Sequence, residues 1–322
     1  MAQATDDATM HRFLLTCLLA AAALAAPASA CAADTLVVPD SAAKQVSALD
    51  GTLVWVSGEF GHQKLMQRTP DGMVSAVKGA PESRSYPSID LGHDSDGDLL
   101  LTYKRCDSAS SCKVLWNDLD GRRATFRNLT LRGCTLSTAP SQWRTNVAYG
   151  LLCTRNAKAD NARSGLYVKA KGKAPRRLAL PKDAIKFGAR SIEDVDLRAS
   201  RVAALAADIY EYAFSQSLTG RDMWTLFAAA SEGDGSADAR GVALGTGGAQ
   251  WTLTNAEHLD DPKQSIIFRL VGKCLRSENI QTPSSGDYAA ADLAVDASTL
   301  YLIVPGAGIV THEFKPGLTP SC

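Results

Sequence analysis

The sequence predicts an all-β chain built from six blade-type repeats, and three observations carry that reading. A short apolar strand recurs at a nearly constant spacing. Asp-Gly pairs stand between the strand-like runs. Helical periodicity is scarce, and the Ala-rich RVAALAAD (from Arg201) falls where the spacing demands a strand. Copies of a strand unit at 40 to 50 residues mark a repeat whose units must stack to bury both faces.

The recurring strands are TLVWVS from Thr52, DLLLTY from Asp98, NVAYGLL from Asn146, RVAALAA from Arg201, AQWTLT from Ala249 and STLYLIV from Ser298, at steps of 46, 48, 55, 48 and 49. A second strand is expected after each: KLMQRT from Lys64, KVLWNDL from Lys113, GLYVKA from Gly165, MWTLFAA from Met223, SIIFRLV from Ser265 and GIVTHEF from Gly308. Asp50-Gly51, Asp71-Gly72, Asp96-Gly97 and Asp120-Gly121 are hairpin turns, because both residue types tolerate positive φ. In the second copy the order YPSIDLG, DSDG, DLLLTYKR, CDSASSC, KVLWND, LDG, RRATFRNL gives four strands and three turns, one complete antiparallel unit. Strands in residues 185–260 are harder to bound, since SEGDGSADARG carries no clear strand.

The pattern of Asp-Gly, strand, variable loop, strand, Asp-Gly resembles the repeats of TolB-like β-propellers. It is clearest from Ala48 to Val77 and from His93 to Arg123, about a quarter of the chain, and degenerate in copies three to six. The resemblance implies a six-bladed β-propeller of four-stranded antiparallel blades. It transfers no function, since propellers host scaffolds, binders and enzymes. The lone N-terminal strand DTLVVPD, Asp34 to Asp40, is expected to complete the last blade, which otherwise shows three strands; the alternative is a loose tail.

Residues 1–30 read as a secretory signal peptide. Arg12 precedes the apolar run Phe13 to Ala26, and the small-residue stretch Pro27 to Ala30 follows. The run falls short of the length of a membrane span. Residues 31–322 then form one propeller domain, about 290 residues, enough for a large core. Lys plus Arg equals Asp plus Glu, so nothing points to nucleic acid. The remaining cysteines are Cys31, Cys106, Cys112, Cys134, Cys153, Cys274 and Cys322. Cys31 stands at the cleavage junction, either discarded or lipidated as the first residue of a lipoprotein, which would be the one link to a membrane. The other six fit three bridges in an oxidising compartment. Strand adjacency pairs Cys106 with Cys112 and Cys134 with Cys153, leaving Cys274 for Cys322. Metal binding by these cysteines is disfavoured by the absence of a C-x-x-C pair and of nearby histidine.

Catalytic motifs are weak. No G-x-S-x-G elbow presents a nucleophile, and no phosphate-binding glycine signature lies in a strand-to-helix setting. Asp94-Ser95-Asp96-Gly97-Asp98 resembles half a calcium loop but lacks the distal Glu, and reads as a hairpin turn. No metal and no cofactor are expected. The most informative residues fall on expected channel-lining strands: Tyr86 and Asp90; Glu193, Asp194 and Asp196; and Asp287 and Asp292. An acidic channel mouth suits a cation or a basic peptide. Trp143 beside Arg144, in what reads as a turn, is an aromatic anchor for a partner. The sequence reading is therefore a secreted or envelope-attached, monomeric, non-catalytic binding or scaffold module with a protein partner. The alternative is an extracytoplasmic hydrolase or lyase using channel carboxylates.

Overall fold

Alternation of side chains along each strand puts apolar residues on two faces, and every face must find a neighbour. In the computed structural model they find it in adjacent sheets. The described residues are 34–315, except 109–110, 126–128, 156–157, 187–190, 208–209, 231–236, 259–260, 273 and 281–289. The expected signal segment, Cys31, Asp287 and Cys322 lie outside them. Thr35–Cys322 forms one compact unit.

After β1 (Thr35–Val38), the first sheet holds β2 (Gln45–Leu49), β3 (Thr52–Ser57), β4 (Lys64–Arg68) and β5 (Val74–Ala76) in sequence order. Then follow β6 (Ser85–His93), β7 (Leu99–Ser108), β8 (Ser111–Asn117) and β9 (Arg123–Thr125), and β10 (Cys134–Leu136), β11 (Ser141–Trp143), β12 (Asn146–Arg155), β13 (Lys158–Ala159), β14 (Gly165–Ala170) and β15 (Arg176–Arg177). The short helix α1 (Lys182–Lys186) leads to β16 (Ser191–Arg198), β17 (Arg201–Ala207), β18 (Tyr210–Ser217) and β19 (Trp224–Ala230). Next are β20 (Ala237–Leu244), β21 (Gln250–His258), β22 (Asp261–Val271) and β23 (Cys274–Ile280), and finally β24 (Asp292–Asp296), β25 (Thr299–Val304) and β26 (Gly308–His312).

The result is an all-β, propeller-like arrangement. Four sheets are four-stranded and antiparallel: β2 to β5, β16 to β19, β20 to β23, and β24-β25-β26 completed by β1. The expectation of six separate four-stranded sheets needs correcting. β6 to β15 form one ten-stranded sheet, because β11 and β6 meet in a single parallel pair, Trp143 opposite His93. Gly92 permits that approach: a Cβ there would stand 1.9 Å from the Gln142 carbonyl oxygen. A second correction concerns the fourth repeat. The strand paired next to β17 is β18, from Tyr210, and the expected MWTLFAA run is the outermost strand β19.

The core sits between sheets. Within β3, Val54 and Val56 pack with Tyr86, Leu91, Leu101 and Tyr103 of the next repeat. Leu53 and Trp55 pack the other way, with Ala294, Ile303 and Ile309. Both faces of one strand are therefore core, and each buried Leu or Val contributes roughly 1.5–3 kcal/mol. The N-terminal strand closes the circle: β1 pairs antiparallel with β26, and Trp55 Nε1 donates to Asp40 Oδ2 at 2.7 Å. Closure removes an exposed edge.

Asp50 and Gly51 both take positive φ, 52° and 76°, as a tight hairpin requires. At the other three Asp-Gly pairs only the glycine does. The bridges Cys106–Cys112 and Cys134–Cys153 are present, each joining residues directly opposite in paired strands. Cys274 is disulfide-bonded.

Candidate functional site: a carboxylate-lined channel

The innermost strands β2, β6, β11, β16, β20 and β24 touch in a closed cycle. They do not form a continuous ladder, so backbone N–H groups on the channel wall need other acceptors. Side chains supply them. Asp292 Oδ2 on β24 accepts from Val46 N on β2 at 2.9 Å. Ser47 Oγ on β2 accepts from Leu91 N on β6 at 2.9 Å. Ser88 Oγ on β6 accepts from Ala139 N at 3.0 Å, and Ser141 Oγ on β11 accepts from Leu197 N on β16 at 2.7 Å. On β16, Asp194 Oδ2 and Asp196 Oδ2 accept from Val242 N and Leu244 N of β20, at 2.8 and 2.7 Å. Three of the expected channel acids, Asp194, Asp196 and Asp292, thus latch one repeat to the next, and serines do so at β2, β6 and β11.

A cavity of ≈ 240 Å³ lies among these strands, lined by Asp90, Glu193, Asp194, Asp196 and Asp292 together with Gln45, Ser47, Arg198 and Arg240. It opens at a rim where Lys44, Pro87, Glu193 and Arg240 are exposed. Its floor is Arg198, whose Nη2 donates to Ala48 O across the channel at 2.7 Å and whose Nε stands 3.5 Å from Asp196 Oδ2. Arg198 also lines a second cavity of ≈ 460 Å³ on its other side, with Asp50, Trp143, Arg201, Asp296 and the turn Gly245–Gly248. The guanidinium therefore partitions the channel.

Burial pushes the channel carboxyls up. Asp194 is raised to about 6, although N–H bonds from Val242 and Val195 oppose the shift. Desolvation, reinforced by the Asp194 charge, raises Asp292 well above the usual range. Asp90 is raised well above it by desolvation and by the neighbouring Asp196, with only the Ser141 hydroxyl and Arg198 favouring its ionised form. Desolvation also raises Asp196 against Arg198 and Leu244 N, and Glu193 nearer the rim. Glu211, whose Oε2 accepts from Ala239 N, is pushed up to about 7. Asp194 and Asp292 converge on Gly241, with one oxygen each within 3.5 Å of where a Cβ would stand. Their oxygens are nonetheless occupied by N–H groups of Val195, Val242, Leu293 and Val46.

The other expected residues are placed differently. Tyr86 is core: it is 1 % exposed, edge-on to Tyr103 at 5.7 Å, and donates its hydroxyl to Pro81 O. Trp143 lies in strand β11, not a turn, half-buried against His93 at 4.7 Å, because its indole fills the seam of the β6–β11 pair. Arg144 holds the following turn at φ 53° and is exposed. The Asp94 carboxylate caps its own turn, Oδ1 accepting from the N–H groups of Asp96, Gly97 and Asp98. Sequence reasoning missed Arg198, Gln45 and Ser47. Arg198 alone carried a signal, as a cation two residues beyond Asp196 on the same strand face.

No family model matches the chain, and no curated protein matches it. Solved structures of similar fold include a Hadza microbial sialidase, 11% identical with TM-score 0.51, covering 85% of this chain and 66% of that one. A mutant of AofleA from Arthrobotrys oligospora is 10% identical with TM-score 0.51, covering 87% and 85%. A puromycin hydrolase is 13% identical with TM-score 0.48; the match covers 83% of this chain and 51% of that chain, so this chain spans about half of it. The likeness is one of fold.

Proposed function

We propose that the chain is a six-bladed propeller, related to TolB-like proteins, that works outside the cytoplasm as a non-catalytic binding module. Its partner is a protein engaged at the open rim of the channel. Counting the ten-stranded sheet as two blades, fused only at Trp143 and His93, supports the number six. The observation that carries the binding reading is the use of the wall carboxylates. Asp194, Asp196 and Asp292 each spend an oxygen on holding neighbouring strands together, which suits a fixed binding wall better than an acid–base pair. The two cross-strand disulfides fit an oxidising compartment. Residues 1–30 would direct export, and Cys31 would anchor the chain if lipidated. Among the described residues no helix is long and apolar enough to cross a membrane.

The test is photo-crosslinking in the native cell. A benzophenone side chain at Pro87 or Glu193, on the rim, should capture a defined protein that the same group at Val74, on an outer strand, does not. Equal capture from both positions would remove the rim as the binding surface. A second reading, hydrolysis, is favoured by one observation, the convergence of Asp194 and Asp292 on Gly241. Turnover of an ester, peptide or glycoside that disappears in Asp292→Asn, with folding intact, would replace the binding reading with that one.

A further inference from the structure

Three residues that line the ≈ 240 Å³ cavity each carry a buried side-chain oxygen with no hydrogen-bond partner among the described residues: Gln45 Oε1, Asp90 Oδ2 and Asp196 Oδ1. Asp90 and Asp196 are 7 % and 5 % exposed. Unpaired buried acceptors are costly, and a carboxylate oxygen more so than an amide. Their arrangement is not an accident of the latch. Gln45 is already held by its Nε2, which donates to Pro87 O at 2.7 Å, and Asp196 by its Oδ2, which accepts from Leu244 N. In each case one oxygen is left over: the Oε1 of Gln45 and the Oδ1 of Asp196. Asp90 lies two residues beyond Ser88, which makes the latch bond of β6; Asp90 itself accepts no backbone N–H from the described residues of the next strand, and the Ser141 hydroxyl beside it favours its ionised form.

Burial holds Asp90 and Asp196 toward their neutral forms, and Arg198 opposes that shift at both. A further cation beside them would favour the ionised forms in the same way. Arg198 Nε faces Asp196 Oδ2 at 3.5 Å, not the open Oδ1, and has no hydrogen bond among the described residues. A cation bearing several N–H donors and no acceptor would pair with the open oxygens and favour the ionised carboxylates. Among the described residues no three His, Cys, Asp or Glu side chains are arranged to hold a metal ion. A compact cation with donors pointing several ways meets the requirement instead.

We propose that the channel cavity binds the head group of a singly charged organic cation, an ammonium or guanidinium, on Gln45 Oε1, Asp90 Oδ2 and Asp196 Oδ1. The inference rests on the reading that ligands enter by the rim, and it names the chemistry recognised there. The head group belongs either to a free small molecule or to a lysine or arginine side chain of the partner protein. Glu193 at the opening adds attraction for either, while Lys44 and Arg240 are engaged with Glu59 and Asp238.

The experiment is isothermal titration calorimetry on the folded chain. The probes are n-butylguanidinium, n-butylammonium, tetramethylammonium, which has charge but no N–H, and a short arginine-containing peptide. The N–H cations should bind, and tetramethylammonium should bind at least about ten-fold more weakly. Asp90→Asn should weaken binding by about ten-fold or more, with its thermal midpoint confirming the fold. Gln45→Leu is the second variant and keeps the test alive if Asp90→Asn does not fold. Free butylguanidinium binding as tightly as the peptide assigns a small molecule; peptide binding alone assigns a partner's side chain. No heat from any probe at millimolar concentration overturns the proposal, as does equal binding of tetramethylammonium or undiminished binding by the variants. Rim crosslinking that persists in that case leaves the binding-module reading standing without this ligand.

Discussion

Replacing Asp194 by Asn should flatten the dependence of stability on pH, and the size of the change can be worked from its surroundings. The folded-state value is about 6, against 3.8 for the free side chain. A raised value means that the folded protein holds this proton more tightly than the unfolded chain does. Below the unfolded value both states are protonated and the contribution is fully present. It is lost as pH rises through the folded value, so the window runs from about pH 4 to 6. At 1.36 kcal/mol per pH unit the loss is at most ~3 kcal/mol, and less to the extent that water screens the partly exposed carboxyl. Asp292, Asp90, Asp196, Glu193 and Glu211 are all raised and act with the same sign. Through these groups the wild type should lose stability toward neutrality, while Asp71, Glu82, Asp107 and Asp118, whose values are lowered, act with the opposite sign as pH falls. In Asp194→Asn the carboxamide oxygen can serve Val195 N or Val242 N but not both, a pH-independent cost of about 1–3 kcal/mol. Urea denaturation followed by tryptophan fluorescence, at several pH values between about 4.5 and 7.5, separates the two effects. The variant should start lower and fall less steeply. Parallel curves for the two proteins would refute the reasoning, because the titration would then owe nothing to this carboxyl.

Three further outcomes are expected. Gly92→Ala should lower the thermal midpoint more than Gly241→Ala. The added methyl meets the backbone oxygen of Gln142 at 1.9 Å in the first case, but the movable Asp292 carboxylate at 2.7 Å in the second. Paired serine replacements at Cys134 and Cys153 should cost about 3 kcal/mol and those at Cys106 and Cys112 about 2 kcal/mol, following loop length; denaturant midpoints report the order. Removing Thr35–Val38 should expose the edge of β26 and uncover Ile309 and Trp55, so that light scattering detects self-association where the full chain has none.

The fold was legible where local chemistry and spacing agreed. Asp50-Gly51 announced its turn because both residues adopt positive φ without strain. The same turn recurs between inner and second strands at Arg144, Ala199 and Ala297, with φ of 53°, 52° and 53°. None of these residues advertises it, which is why the repeat looked degenerate after the second copy. Tertiary context holds them there, at a cost that glycine would not incur. The misreading of the fourth repeat has a similar cause. YEYAFSQS, the real partner of β17, is buried from Glu211 to Gln216, but it follows the preceding strand so closely that the spacing of other copies pointed past it to Met223. The fusion of two expected blades was invisible because it depends on one close backbone approach at Gly92, a contact between residues some fifty positions apart.

The site was legible as a set of acids on inner strands, but their use was not, since a latch is defined by the neighbouring strand and not by its own sequence. The latch itself does not explain the acids. Ser47 and Ser141 make the same bond to the next strand with a neutral hydroxyl, at 2.9 and 2.7 Å. Ring closure therefore does not require charge, and a serine avoids the desolvation that raises Asp194, Asp196 and Asp292. A hydrogen bond to an ionised acceptor is stronger than one to a neutral group, yet here burial outweighs it, as the upward direction of every shift records. Asp90 sharpens the point: it carries the desolvation of a buried carboxyl and returns no latch bond at all. The excess of acid over what the architecture needs lines one cavity above Arg198, and it is that excess, rather than the acidic wall as a whole, that carries the proposed cation site.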